Sequence, residues 1–585
     1  MTRLSSVPLA VFHFIKSSEH TFMAILAVLV GIAGGFGAVG FRHLITLFQS
    51  ICYGSNGSLL EMVQNTPYYL RLLIPAAGGL VVGLLVYFWA REAKGHGVPE
   101  VMEAVVLKGG NIRKRLVLVK SLASAICIGT GGAVGREGPI VQIGSAIGST
   151  FGQLLKVSAD RMKTLVGCGA AAGIAATFNA PIAGSMFAIE IVLGDFGLAI
   201  FSPIVISAVI ATAISRHFLG DAPAFIVPAY ELRSVLEFPL YVIMGFFCAG
   251  VAVLFTKSLY KTEDMFDSLG IPEYLKAALG GFIIGGMGLL FPHILGVGYP
   301  AIDLVLMQRL SLGVMIFLVL FKILATSITI GSGGSGGIFA PSLFMGAMAG
   351  GFFGGWVHAI FPEITASPGA YSIVGMGAVV SATTHGPLTA ILMLFEMTGD
   401  YKIILPLMIT CIVSSMFSGQ LLPESIYTLK LVRRGVDIRA GKEVNILKSM
   451  HVKEVMNPDV EMIPEALSLE ELTDKISKSK YNSFPVVNAK GQLTGVLSFF
   501  DYRDALFDEH LKHLIIAKDL ATSSVITVTT EDDLYAALQL ISQKDFSIMP
   551  VVSPFDPSKV LGVLSRRDII GAYNQAVMKK SLFNG

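Results

Sequence analysis

Residues 118–139 read LVKSLASAICIGTGGAVGREGP, and residues 320–341 read LFKILATSITIGSGGSGGIFAP. Lys120 aligns with Lys322 at an offset of 202. The same offset relates Gly131 to Gly333, Gly132 to Gly334, Pro139 to Pro341, Gly144 to Gly346, Gly148 to Gly350 and Gly152 to Gly354. Chance gives one or two such matches; a run at one offset is a duplication. Further on, APIAGSMFAIEIVLGDF (180–196) aligns with GPLTAILMLFEMTGDY (386–401). There Pro181 meets Pro387 and Glu190 meets Glu396 at 206, and Asp195 meets Asp400 at 205. The two copies lie near 70–220 and 275–425.

Composition sets the solvent of this repeat. Hydrophobic residues make up 53% of the 585 and charged residues 14%, with mean hydropathy +0.69. So little polar surface belongs in a bilayer. The first apolar stretch, Thr21 to Val39, runs into further apolar segments and reads as a retained span, not a cleaved signal. A net charge of +2 makes no case for nucleic acid. Cys52, Cys127, Cys168, Cys248 and Cys411 are scattered without metal or disulfide spacing and read as small apolar packing groups. The stretch 237–256 can span a bilayer, whereas 180–193 and 387–398 are too short. Short, glycine-broken segments at membrane depth belong inside a transporter or channel, where protein or a wet cavity satisfies the backbone.

Duplicated membrane domains place their substrate at the repeat interface, on helix N-termini and unwound backbone. Both copies here carry a glycine-rich loop, then Pro139 or Pro341 in a first helical turn. Two converging helix N-termini, with unpaired N–H groups and partial positive charge, make an anion site without a lysine. Glu137 lies where the anion would sit, and its counterpart is Phe339, so the charge belongs to one copy and not to the shared scaffold. A carboxylate there can occupy the site as an anion mimic and leave when protonated; the alternative is a structural cap paired with Arg136.

With these features in place, GREGP (135–139), GIFAP (337–341), GHGVPE (95–100) and Tyr427 in SIYTLKL resemble the CLC chloride channel and chloride/proton exchanger family over most of residues 21–430. The resemblance implies an all-α polytopic domain of two inverted halves with about 17–18 helical segments, assembled as a homodimer with one anion pathway per subunit. By motif, Glu137 is similar to the family's gating glutamate. Backbone at Gly95, Gly97, Gly138, Ile338, Phe339 and Ala340, with the Tyr427 hydroxyl, would hold chloride. Arg136 either adds positive potential at the entrance or pairs at a helix end. The family's usual serine is replaced by His96, whose imidazole either donates to the anion or points away and leaves the loop backbone to act. Exchangers of the family carry two consecutive glutamates where this chain has Glu190 and Ile191. Isoleucine carries no proton, which favours a channel or uncoupled transporter over a chloride/proton antiporter. Glu190 itself, repeated as Glu396, reads as a cap for a neighbouring helix end.

From 431 onward the composition turns soluble, so 1–430 is read as the transport domain and 431–450 as a linker. FPVVNAKGQLTGVLSFFD (484–501) resembles MPVVSPFDPSKVLGVLSRRD (549–568), a tandem α/β CBS pair over 451–510 and 516–578. Ser498 with Asp501 and Ser565 with Asp568 either meet an adenine nucleotide or simply cap helices. No cofactor is required; chloride, with protons in an antiporter, is the substrate. The CBS pair is expected on the cytoplasmic side of a bacterial inner membrane.

Other classes fit less well. GGSGG (333–337) matches the G-x-S-x-G of serine hydrolases, with His385 available, so an intramembrane serine protease is the enzyme alternative. Ser335 aligns with Ala133 in a shared loop, which explains the glycines without a nucleophile. No Gly-Lys-Ser/Thr follows either loop, which removes a phosphate-binding P-loop. A metal transporter would want acidic ligands, and apart from Glu137 these loops are apolar or glycine-rich. No catalytic or metal-ligating set is expected.

Overall fold

The computed structural model describes residues 19–54, 57–221, 225, 232–436, 447, 448, 450–479, 481–503, 505, 514–544 and 548–582. Two compact units emerge, Met1–Leu431 and Val432–Gly585. The stretch 431–450 lies largely outside the described residues.

The first unit is helical throughout. It opens with α1 (Glu19–Tyr53) and α2 (Leu59–Asn65). The first copy contributes α3 (Tyr68–Trp89), α4 (Val98–Leu107), α5 (Leu116–Gly129), α6 (Glu137–Leu154), α7 (Ala159–Phe178), α8 (Pro181–Leu193) and α9 (Leu198–Leu219). After α10 (Phe238–Asp267) the second copy repeats the order as α11 (Glu273–Leu290), α12 (Tyr299–Leu306), α13 (Leu312–Gly331), α14 (Phe339–Ile360), α15 (Pro368–Thr384), α16 (Pro387–Thr398) and α17 (Ile404–Leu421). The short α18 (Thr428–Arg433) closes the unit, giving 18 helical segments among the described residues. Among the described residues eight helices are long and apolar enough to cross a membrane, whereas α5, α8 and α16 are shorter apolar helices. Irregular backbone and helix ends therefore lie inside the unit, covered by the longer helices.

The packing of α3 on α11 shows that the copies are inverted. Gly79 lies against Ala277 and Gly83 against Tyr274, while Gly281 lies against Pro75 and Gly285 against Leu72. Positions rise along one helix as they fall along the other, so these equivalent helices run antiparallel. Each contact also recurs with the partners exchanged at an offset of 202, the signature of a two-fold relation. The same economy brings α7 onto α6 through Gly144 and Gly169, and α15 onto α14 through Gly346 and Gly375.

Helix α8 departs from the symmetry. It begins as an α-helix, Pro181–Met186, and continues as a π-helix, Phe187–Leu193, where α16 stays α-helical. The change in repeat offset from 206 to 205 explains it: the first copy holds one more residue between Glu190 and Asp195 than the second holds between Glu396 and Asp400. An inserted residue in a helix is absorbed as a π-turn.

The second unit holds two like three-stranded sheets. In the first, β1 (Ile463–Pro464) runs parallel to β2 (Ser483–Val487), which pairs antiparallel with β3 (Leu493–Ser498). In the second, β4 (Val528–Thr529), β5 (Ile548–Ser553) and β6 (Asp556–Ser565) repeat that order and sense. The two modules are laced together. Asn457, ahead of the first, exchanges backbone hydrogen bonds with Val563 of the second, and Thr522, ahead of the second, exchanges them with Val496 of the first.

Candidate functional site

The two glycine-rich loops meet back to back. Gly131 and Gly333 take φ of +102° and +109°, which turns the chain sharply at the ends of α5 and α13. Gly132 N–H then donates to Cys127 O at 2.8 Å and Gly334 N–H to Thr329 O at 2.9 Å. Gly135 and Gly337, equivalent positions, exchange N–H···O bonds of 2.7 and 2.6 Å. The pseudo-two-fold axis passes through this pair, and each loop runs straight into a helix, α6 on one side and α14 on the other. Ser335 donates to Ala93 O at 2.8 Å and shares a hydrogen bond of 2.9 Å with Ser124. Its hydroxyl ties loops together, and no base among the described residues hydrogen-bonds to it.

Two fully buried lysines hold the neighbouring loops. Lys120 Nζ donates to Ala93 O and Gly95 O at 3.0 and 2.8 Å. Lys322 Nζ donates to Ile294 O and Gly296 O at 2.8 and 2.9 Å. Each ammonium gathers two carbonyls of the turn ahead of α4 or α12. In the first copy Gly95 and Gly97 have positive φ, and the His96 carbonyl lies against Gly138 so closely that a methyl there would collide with it.

Glu137 is the first residue of α6, is 1% exposed, and reaches across the axis. Its Oε2 accepts from Ala340 N–H at 3.3 Å, in the first turn of α14, and its Oε1 accepts from the Tyr299 hydroxyl at 3.1 Å. The carboxylate therefore sits on the N-terminus of the other copy's helix, where the helix dipole favours negative charge. Among the described residues no acceptor meets the N–H of Ile338 or Phe339, the unpaired donors of this helix's N-terminal end. The Phe339 ring packs against Phe178 and Phe187 at 5.6 and 6.3 Å. Arg136 does not pair with Glu137: its guanidinium lies 5.4 Å from the Tyr299 ring centre and donates to Thr177 O at 3.4 Å.

Tyr427 approaches from the end of the unit and is 1% exposed. Ile426 is pinned by its N–H to Thr383 O at 3.0 Å and by the Tyr260 hydroxyl on its carbonyl at 2.5 Å. Lys430 pairs with Glu100 of α4 at 3.4 Å, both largely buried. The Tyr427 and His96 rings lie 5.8 Å apart, which brings these two sequence candidates together.

Ile191 is buried in the π-helix, with its side chain against Gly386. Glu190 caps α16, accepting from Leu388 and Thr389 N–H at 3.1 and 2.7 Å. Glu396 caps α8, accepting from Ile182 and Ala183 N–H at 3.1 and 2.7 Å. Tyr299 was not among the sequence candidates. A signal existed: GVGYP (296–300) aligns with GHGVP (95–99) at 201 and marks a second loop facing the site. In the second unit Ser498 and Ser565 each donate to Asp501 or Asp568 at 2.6 Å, and each Asp also accepts the serine N–H, so both pairs act as helix caps. Among the described residues no cluster suited to a metal ion occurs.

A profile described as voltage gated chloride channel matches residues 78–419, and a CBS domain profile matches 452–508 and 517–575. The chain is 35% identical over 419 residues to a putative chloride channel protein ClcB-like of Ralstonia nicotianae, covering 71% of this chain and 98% of that one. It is 33% identical over 408 residues to the voltage-gated ClC-type chloride channel ClcB of Citrobacter koseri, covering 69% and 97%. The solved structure of a slow cyanobacterial Cl−/H+ antiporter superposes with TM-score 0.65 at 28% identity, covering 70% of this chain and 97% of that one. A eukaryotic CLC transporter shares the fold at TM-score 0.62 and 20% identity, covering 93% and 97%.

Proposed function

The chain belongs to the voltage gated chloride channel family, and on that premise we propose that it passes chloride through a pore gated by Glu137. It is a multi-pass membrane protein of a chloride-transporting family, with a CBS pair at its C-terminal end. The observation that carries the gate is the Glu137 carboxylate on the N-terminus of α14, bonded to Ala340 N–H. Chloride and this carboxylate compete for the same donors. When Glu137 is ionised it fills the site; when it is protonated its hold weakens, and chloride takes the N–H groups of Ile338, Phe339 and Ala340. The loop Gly95–His96–Gly97, with Gly138, and the Tyr427 hydroxyl complete the cradle on the inner side. Arg136 raises the potential at the entrance.

Conduction without proton coupling is the reading that Ile191 supports, because an alkyl side chain stands where a proton carrier would be needed. A chloride/proton antiporter is the second reading, favoured by the likeness to the cyanobacterial antiporter. We further assign a homodimer with one pathway per subunit in a bacterial inner membrane, the CBS pair cytoplasmic and open to an adenine nucleotide at Ser498, Asp501, Ser565 and Asp568.

Purified protein in liposomes under a chloride gradient tests the reading, with chloride and external pH recorded together. Chloride efflux without proton uptake under a clamped potential is the expected outcome. Proton uptake against a gradient establishes the antiporter. Glu137→Gln that leaves both flux and its pH dependence unchanged would falsify the gate.

A further inference from the structure

A cavity of about 250 Å³ has Tyr299, the hydroxyl donor to Glu137, in its wall. Three basic side chains line it: Arg42 of α1, Arg136 ahead of α6, and His293 ahead of α12. Thr46, Gln49 and Ser58 add polar groups, and among the described residues no acidic side chain lines it. Arg42 and Arg136 place two like charges in the wall of this one space. Among the described residues neither has an ion-pair partner, and Arg136 Nε and His293 Nδ1 are buried without a hydrogen-bond partner. Like charges and unmet donors in one half-buried cavity oppose folding. A bound anion removes both penalties.

The size and donor geometry select the anion. A water molecule takes about 30 Å³ of liquid, so the cavity accepts several waters and far exceeds one monatomic ion. Guanidinium forks match the paired oxygens of planar or tetrahedral oxoanions. We propose that this cavity binds a polyatomic oxoanion of sulfate or phosphate size, held between Arg42 and Arg136 with His293 as a third donor. Its occupant stands against Tyr299 and obstructs the approach to Glu137, so it inhibits chloride flux from that side. The inhibition rests on the chloride-pathway reading; the binding does not.

Calorimetric titration of sulfate into the full-length protein in detergent separates the two. Wild type should release heat of binding. Arg42→Gln should weaken the affinity at least tenfold, and Arg42→Lys, which keeps the charge and most of the packing, should recover part of it. Liposomes of phosphatidylcholine, with sulfate added to one side, should show chloride flux falling with sulfate and a tenfold weaker effect in Arg42→Gln. Repeating the titration in phosphatidylglycerol nanodiscs distinguishes sources of the oxoanion: retained heat supports a free ion, and heat lost only there supports the same site filled by a lipid phosphate. Absence of sulfate heat in detergent-solubilised wild type, or equal affinity in wild type and Arg42→Gln, overturns the site. Binding that survives while chloride flux is absent overturns the chloride pathway and leaves the site standing.

Discussion

Glu137 concentrates the chemistry of the first unit in one carboxylate. It was legible in the sequence because it breaks a repeat: its counterpart is Phe339, and a charge without a scaffold role asks for another explanation. The structure adds the donors, Ala340 N–H and the Tyr299 hydroxyl. Protonation weakens the carboxylate as an acceptor for both donors, and that fixes the sign of the pH effect. On the gating reading the charged carboxylate occupies the helix end, and acid on the side facing it neutralises the carboxylate and frees the site. Chloride flux should rise as external pH falls from about 7.5 to about 4.5, a range that spans carboxylate titration. Glu137→Gln should make flux high and flat across that range, measured as chloride efflux from liposomes. Tyr299→Phe removes one donor to a charged acceptor, an interaction worth about 1.5–3 kcal/mol. Flux at neutral pH should therefore exceed wild type by about tenfold or more, and a flux equal to wild type would show that Ala340 alone holds the carboxylate. Tyr299 escaped the sequence reading because the repeat that marks it, GVGYP, keeps the glycines and the proline of GHGVP but differs at the informative side chains. Lys120 and Lys322 were read as alignment marks; their role as carbonyl clamps depends on turns 25 to 28 residues away in sequence.

At the scale of elements the two copies are tied by reciprocal contacts. Glu190 caps α16 and Glu396 caps α8, so each copy satisfies a helix end in the other. The matched glutamates were legible as caps from their repetition, but which helix each one capped was not, because cross-copy contacts lie some 200 residues apart in sequence. Glu190→Gln leaves an amide donor facing N–H groups and should cost about 1–3 kcal/mol. Glu396→Gln should cost less, since Glu396 lacks the additional hydroxyl donor that Thr389 gives Glu190. Thermal melting in detergent ranks the two, and chloride flux per folded molecule should be retained in both. The seam between α3 and α11 offers a sharper test. Gly281 lies against the Pro75 carbonyl, with no room for a side chain, whereas Gly250 on α10 faces open space. Gly281→Leu should lower stability by several kcal/mol and the yield of monodisperse protein with it, since overpacking alone costs about 1–3 kcal/mol. Gly250→Leu should melt like wild type. The π-turn at Phe187–Leu193 was implicit in the one-residue change of offset, but an offset alone does not say whether a loop or a helix absorbs the extra residue.

At the scale of the whole molecule, duplication does its work twice. In the first unit it produces inverted halves whose helix N-termini converge on one axis; in the second it produces two sheets of the same order, each completed by a segment that precedes the other module. The division into a bilayer unit and a water-soluble unit was plain from composition alone. The inversion was not: similarity between the copies is silent on their relative direction, which the family resemblance implied and the antiparallel contacts of α3 and α11 supply. Two units folded in different solvents need not melt together. A ligand of the CBS pair acts by mass action on the unit that binds it, stabilising by about 2.7 kcal/mol at one hundred times its dissociation constant. Adenine nucleotide should therefore raise only the transition that belongs to Val432–Gly585 in scanning calorimetry of the full chain. Asp501→Ala and Asp568→Ala together remove both candidate ribose acceptors as well as two helix caps, so they should lower that transition by about 1 kcal/mol per cap and abolish the nucleotide shift. If the transition falls but the nucleotide shift survives, the two aspartates are caps alone and the nucleotide is held elsewhere. If nucleotide raises the membrane unit's transition as well, ligand binding in the soluble unit is coupled energetically to the pore, and chloride flux should then change with nucleotide concentration over the same range.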